Sequence, residues 1–323
     1  MFHYLFKTYI ANGREYYEFA TADDEKVQRT KKDFPFPESL LSLLYLDVCE
    51  IDRITKRMDK ALRSFYSSRD LSDLHEVESG LDELASKHIC FELLRLEWLE
   101  RIRLASAMEP RDILDMLPHK NISHIYSNIA AMQDQIKELI AQVLDTDSGK
   151  KPVFEKMADY YNAAGEDTLH TFRFQPQSMN FEIIDRKVFA EVFYPSDMYD
   201  LIDFHVRECI KREVKMHLCK NCLRYFVAAG NRHTEYCDRI CDSKGRTCKE
   251  IGAMNTWTER KQSDEVFKEY RREYKKRFAR ITAGKLTKGA FYIWSEEARQ
   301  KKEQCDNGEI SHEEFSRWLR ESI

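Results

Sequence analysis

Along residues 38–67 apolar side chains recur at Leu40, Leu44, Val48, Ile51, Ile54, Met58, Leu62 and Phe65, with Lys and Asp between them. Steps of three and four place them on one face of a helix. The same spacing through Leu74, Val77, Leu81, Leu84, Phe91, Leu94, Trp98 and Ile102 predicts a second helix over 72–107, with a break near Gly80 and an end at Pro110. A third runs through Ile125, Ile129, Met132, Ile136, Ile140 and Val143 and stops at "DTDSGKKP". Such stripes build the core of a helical bundle. This half holds no Gly-rich phosphate loop, no nucleophile elbow and no paired-carboxylate signature, and His88 and His119 stand alone.

Two stretches break the helical period. The first thirty residues mix aromatics with charge, and Asn12-Gly13 predicts a short hairpin there. "FPFP" at 34–37 is expected to preclude regular structure, with Pro37 just before a helix. Between 169 and 195 the chain turns aromatic and β-branched, which predicts two or three strands and a hairpin turning at Asp185-Arg186. Ser196 then reads as the N-cap of a helix through Met198, Ile202, His205, Val206 and Cys209, with His205 at a helix interface.

Composition supports a mainly α protein with a small β element: 33% of residues are charged, and only 10 Gly and 7 Pro interrupt 323 residues. The start shows no signal-peptide pattern, and no apolar run is long enough to span a bilayer, so a cytoplasmic, non-membrane protein is expected. The net charge of −4 conceals an asymmetry. From Lys211 onward there are 26 Lys and Arg against 18 Asp and Glu, and before it 26 against 38. We therefore expect an acidic helical domain over 1–165. A second part over 166–323 would hold the strand–helix segment, a zinc finger at about 217–257 and a basic helical tail.

The chemistry concentrates in 217–252, which holds five of the nine cysteines. Cys219 and Cys222 form a C-x2-C pair able to hold one ion. "RYFVA" and "TEYC", separated by "AGNRH", read as a hairpin leading to Cys237. A knuckle, a hairpin and a third cysteine open a treble-clef or zinc-ribbon finger, and the treble-clef-like form is expected. The fourth ligand is Cys241 or Cys248. Thr247 and Glu250 match a capping box, which would put Cys248 in the first turn of a helix, where the N-terminal dipole favours thiolate. That favours Cys248; His217 and His233 are spare candidates. Soft thiolates in a tetrahedral, redox-silent site suit Zn2+, and a site of four cysteines leaves no open position for catalysis.

"HLCKNCLRYFVAAGNRHTEYCDR…GRTCKEIGA" resembles the finger of an uncharacterised bacterial domain-of-unknown-function family. That family's pattern falls here on Cys219, Cys222, Phe226, Tyr236, Cys237, Asp238, Arg239, Gly245, Thr247 and Cys248, which supports Cys248 as ligand. The segment is also distantly similar to the CGNR-type finger of predicted bacterial transcription regulators, through Asn231-Arg232 and the aromatic-Cys step, although that finger's second cysteine pair is more closely spaced. The resemblance spans about 200–320 and carries no activity.

Downstream, 263–281 reads as one amphipathic helix. Its stripe is Val266, Phe267, Tyr270, Tyr274 and Phe278, its cap is Ser263, and Lys268, Arg271, Arg272, Lys275, Lys276, Arg277 and Arg280 cover the rest. "EQCDNGEISHEEF" imitates half a calcium loop, but Glu303 and Cys305 occupy its first and third ligand positions. Asn307-Gly308 is expected to turn the chain, and Ser311 with Glu314 to cap a last helix. The leading expectation is a zinc-stabilised DNA- or RNA-binding or regulatory protein, not an enzyme. Arg224, Arg232, Arg239, Lys249, Arg272, Lys275 and Lys276 would contact phosphate. The rival is a structural protein that binds another protein.

Overall fold

The computed structural model describes residues 4–23, 26–105, 113–165, 170–227, 234–252, 254 and 265–322. The chain is mainly helical, with about 59% helix and 16% strand. It divides into two compact units: Met1–Leu218 with Arg224–Thr234, and Cys219–Leu223 with Glu235–Ile323. The division expected at 165/166 does not coincide with this one. Residues 170–218 belong with the first unit, because a strand from this stretch pairs with the first strand of the chain.

The first unit opens with β1 (Tyr4–Ala11), β2 (Arg14–Asp23) and β3 (Lys26–Pro35). Asn12 and Gly13 make the first turn with φ of 51° and 72°, the left-handed pair that a two-residue hairpin requires. The predicted short hairpin is therefore a full meander. Its period of two was hidden because both faces are apolar. Phe6, Tyr17 and Phe19 face the helical core, while Tyr9 joins Ile184, Ala190 and Val192 on the other side. "FPFP" does not preclude structure either: Phe34 and Pro35 pair with Glu15 and Arg14, and an edge strand tolerates the missing N–H of proline. β4 (Met179–Ile184) and β5 (Val188–Phe193) complete the sheet in the order β3-β2-β1-β5-β4. Their hairpin turns at Asp185 and Arg186, both at positive φ, as expected.

The helices α1 (Glu38–Leu43), α2 (Val48–Ser68), α3 (Leu71–Lys87) and α4 (Ile89–Ala105) carry the predicted stripes, but their breaks lie elsewhere. The first stripe divides over 44–47, where Asp47 accepts from Cys49 N and Glu50 N and caps α2. The second divides at His88. Gly80 sits inside α3 because a Cβ there would lie 2.3 Å from Met58 Cγ. Short α5 (Ile113–Met116) and α6 (His119–Ser123) lead to α7 (Ile125–Leu139), a π-helical turn (Ile140–Leu144), α8 (Val153–Ala164) and α9 (Met198–Lys211). Asp197, not Ser196, caps α9.

A buried polar chain ties β2, α1 and α9 together. His205 Nε2 lies 2.8 Å from the Tyr17 hydroxyl, which donates to Ser39 Oγ at 2.8 Å. The Ser39 hydroxyl and N–H both donate to Glu15 Oε1. Glu15 Oε2 faces His205 Nδ1 at 3.4 Å, and neither atom has a hydrogen-bond partner among the described residues. Burial pushes the Glu15 carboxyl up to about 7 and His205 down to about 3. His88, the solitary histidine of the sequence, donates from Nε2 to Ser39 O at 2.8 Å, and burial lowers it to about 4. His205 thus sits at a helix interface, as expected, but as a hydrogen-bonded group held neutral.

In the second unit, α10 (Glu265–Thr282), α11 (Lys288–Asp306) and α12 (His312–Glu321) pack around Phe291, Trp294, Ala298, Phe315 and Leu319. Ser311 and Glu314 form the predicted capping box of α12. Because α11 runs through Asp306, the calcium-like stretch begins as helix. The expected cap Ser263 lies outside the described residues.

Candidate metal centre

The short strands β6 (Met216–Leu218) and β7 (Tyr225–Val227) pair Met216 with Val227 and Leu218 with Tyr225. The knuckle Cys219–Leu223 forms the tip between them. Leu223 takes a φ of 54°, and its N–H donates to Cys219 O at 2.9 Å, closing the turn that brings Cys222 back beside Cys219. The predicted hairpin of "RYFVA" with "TEYC" is not formed. The partner of β7 is β6, and Thr234–Cys237 runs without regular structure. Lys220 N donates to Glu235 O at 3.0 Å, which lays this segment against the knuckle.

The remaining chain is a tight loop. Ile240 bridges Thr247, Asp242 accepts from Lys244 N and Arg246 N, and Gly245 turns at a φ of 76°. This loop leaves Cys241 exposed, its Sγ directed at Arg246 O. It carries Cys248 inward, fully buried, onto the first turn of a helix over 248–252. Thr247 N donates to Glu250 Oε2 at 2.8 Å and Glu250 N to Thr247 Oγ1 at 3.3 Å, the capping box read from the sequence. Gly252 admits the Tyr236 ring, to which a Cβ would come within 2.2 Å.

Cys219, Cys222, Cys237 and Cys248 converge, their Sγ atoms all within 4.8 Å of one another, and Cys222 and Cys237 are 3.7 Å apart. Thiolates 2.3 Å from one tetrahedral zinc stand about 3.8 Å apart, so this donor set has the size of a zinc site and is too open for a disulfide. Donors already surround the sulfurs. Cys237 N and Asn221 Nδ2 each reach an Sγ at 3.4 Å, of Cys219 and Cys248 respectively. Burial opposes ionisation of Cys219, but the N–H groups of Cys222, Cys237 and Asn221 outweigh it and hold this thiol at about 7. Burial, with the neighbouring sulfurs, pushes Cys237 up to about 12. The backbone thus favours the thiolate at Cys219, and burial disfavours it at Cys237.

His217, the spare ligand, points elsewhere. Its Nδ1 meets Thr146 Oγ1, and it clusters with Asp145 and Asp147, a grouping the sequence did not reveal because α8, β4, β5 and α9 intervene. His233 and Arg232 lie outside the described residues.

The other candidate phosphate contacts are not equivalent. Arg224 lies 5.2 Å over the Tyr45 ring in the first unit. Arg239 Nη1 reaches Cys237 Sγ at 4.0 Å, and Lys249 lies 3.9 Å from Asp238. On α10, Arg272 and Lys276 pair loosely with Glu269 and Glu273 at 3.7 and 3.4 Å, and Lys275 is exposed. Arg277 leaves the basic face altogether. It is buried over the Trp294 ring at 4.4 Å, paired with Glu273 at 2.6 Å and bonded to Leu319 O.

Residues 170–322, just under half of the chain, match a family of unknown function (DUF6076). The match takes in β4, β5, α9, the cysteine cluster and the helical tail, and its description carries no activity. No curated protein and no solved structure is significantly similar to the chain.

Proposed function

We propose that Cys219, Cys222, Cys237 and Cys248 bind one zinc ion in a closed structural site, within a treble-clef-like module that presents a basic helical surface to DNA or RNA. The convergence of the four sulfurs carries the metal part of this reading. Zinc bound there supplies charge neutralisation and a cross-link, with no open position for a reacting group. No catalytic role is assigned. A thiolate site suits a reducing compartment, so we place the protein in the cytoplasm, and among the described residues no helix is long and apolar enough to cross a membrane. The exposed cations Arg272, Lys275 and Lys276 of α10 support the nucleic-acid part, while Arg277 is buried and takes no part.

A binding curve for short DNA and RNA oligonucleotides, repeated at two salt concentrations, tests this. Counterion release makes affinity fall steeply with salt, and no affinity at low salt ends the reading. One observation favours the rival, a protein partner: Phe181, Ile183 and Phe189 lie 65–70% exposed on the outer hairpin of the sheet, with Phe181 and Phe189 stacked at 5.4 Å. Stable co-purification of one protein that Phe189→Asp abolishes, with no oligonucleotide binding, would decide for it.

A further inference from the structure

The bundle of α10, α11 and α12 has a surface that its own packing does not explain. Phe278 near the end of α10 meets Phe291 at 5.7 Å, and Phe291 meets Tyr292 at 6.0 Å. The middle ring is buried, but Phe278 and Tyr292 are 55% and 67% exposed. Burying an aromatic ring is among the larger apolar contributions to stability, so two open rings beside a filled core mark a surface built for contact.

The charge around these rings has one sign left over. Arg271 and Lys275 precede Phe278 by seven and three residues and so share its side of α10. Lys285 lies in the turn between the helices, and Lys288 stands one helical turn before Tyr292. All four cations are exposed, and none makes an ion pair with a described residue. The nearby acids are engaged elsewhere: Glu269 by Arg272 and His312, Glu273 by Arg277 and Lys276, and Glu296 by Arg299.

Exposed rings flanked by uncommitted cations match a strand whose bases are free to stack. In a duplex the base faces are covered and only phosphates are offered. We propose that Phe278 and Tyr292 form a stacking platform for unpaired bases of single-stranded nucleic acid, with Arg271, Lys275, Lys285 and Lys288 on the phosphates. This rests on the nucleic-acid reading above and narrows it to a strand class and a surface.

The test uses the full, zinc-loaded chain with a labelled oligo-dT and a duplex of the same length, each at two salt concentrations. Oligo-dT should bind more tightly than the duplex. Phe278→Leu, which keeps the apolar contact with Phe291, and Tyr292→Leu should each weaken oligo-dT about 5- to 100-fold without changing the salt slope. Phe278→Tyr should retain binding, and Lys275→Gln with Lys288→Gln should flatten the slope. Circular dichroism checks that each variant keeps its helices. If the leucine variants bind oligo-dT like the parent, or the duplex binds as tightly, the stacking surface is wrong while the broader reading stands. If neither oligonucleotide binds at low salt, both fall.

Discussion

The two units hold themselves together by different means. The first has a continuous core from the sheet through α7 and α9, large enough to take Glu15 and His205 inside, with His88 half-buried, and to disfavour their charged forms. In the second, five apolar side chains form the buried centre of the bundle. That unit takes charge inside in paired form, as Arg277 with Glu273, and gathers four thiols where an ion would stand. A small core contributes little net stability, and cross-links or metals usually make up the difference. Both units pair buried acids with cations, as Glu208 with Lys211 and Arg212 in the first and Glu273 with Arg277 in the second; the contrast is that the larger core also holds Glu15 and His205 with their charged forms disfavoured by burial.

The largest expected effect breaks the second unit alone. Structural zinc contributes on the order of 10 kcal/mol of apparent binding free energy, so chelation or Cys248→Ser should unfold the finger. The first unit should keep its hydrogen-exchange protection. Metal analysis should give one zinc per chain for the parent and for Cys241→Ser, and well below one for Cys248→Ser. The reverse result would exchange the ligands.

Next is the buried ion pair. Arg277→Met leaves Glu273 without its partner and should cost about 3–5 kcal/mol in bundle stability. Arg272→Met, on the exposed face, should change it by less than about 0.5 kcal/mol. Denaturation followed through Trp294 fluorescence compares the two, and equal effects would contradict the burial of Arg277.

The first unit should instead show its stored neutrality as acid sensitivity. Unfolded histidine protonates near 6.5, whereas folded His205 and His88 stay neutral down to about 3 and about 4. Their contribution is complete above about 6.5 and is lost as pH falls through that window. Glu15, raised to about 7, acts oppositely: its contribution is present below the unfolded value near 4.5 and is lost as pH rises through about 7. Between about 6.5 and 4.5, unfolding therefore takes up a net single proton, and stability should drop by about 1.4 kcal/mol per pH unit. Glu15→Gln should steepen this toward two protons, and His205→Gln should flatten it. Hydrogen exchange in β2 and α9 against pH reads the slope. A smaller loss is expected at a cap: Ser311→Ala should cost about 1 kcal/mol, seen as a lower denaturation midpoint for the bundle.

What the sequence disclosed follows the range of each interaction. Local patterns were legible: the stripe of α2, the turns at Asn12-Gly13 and Asp185-Arg186, and the two capping boxes. The preference for Cys248 came from Thr247 and Glu250, three residues apart, and those residues do bring Cys248 to the cluster. Long-range choices left no local trace. Arg277 sits at a position that reads as basic surface until Leu319, 42 residues on, offers its carbonyl. Leu44 continues the stripe of α2 although the helix begins at Val48, because Leu44 is buried without being helical. The sheet was missed as a whole because β1 meets β5 across more than 180 residues, through Thr8 with Phe193 and Tyr9 with Val192.

That pairing bears on the matched segment. The segment matching the family begins at residue 170 and so carries β4, β5 and α9, but not β1 or β2. Its β5 completes its ladder on Thr8 and Tyr9, and its His205 finds its hydroxyl on Tyr17, all supplied by the unmatched front. The segment that matches the family is therefore not what folds as one unit. A chain begun at residue 170 would present a bare strand edge and an unanswered histidine, so the matched segment depends on the front of this protein to complete its fold.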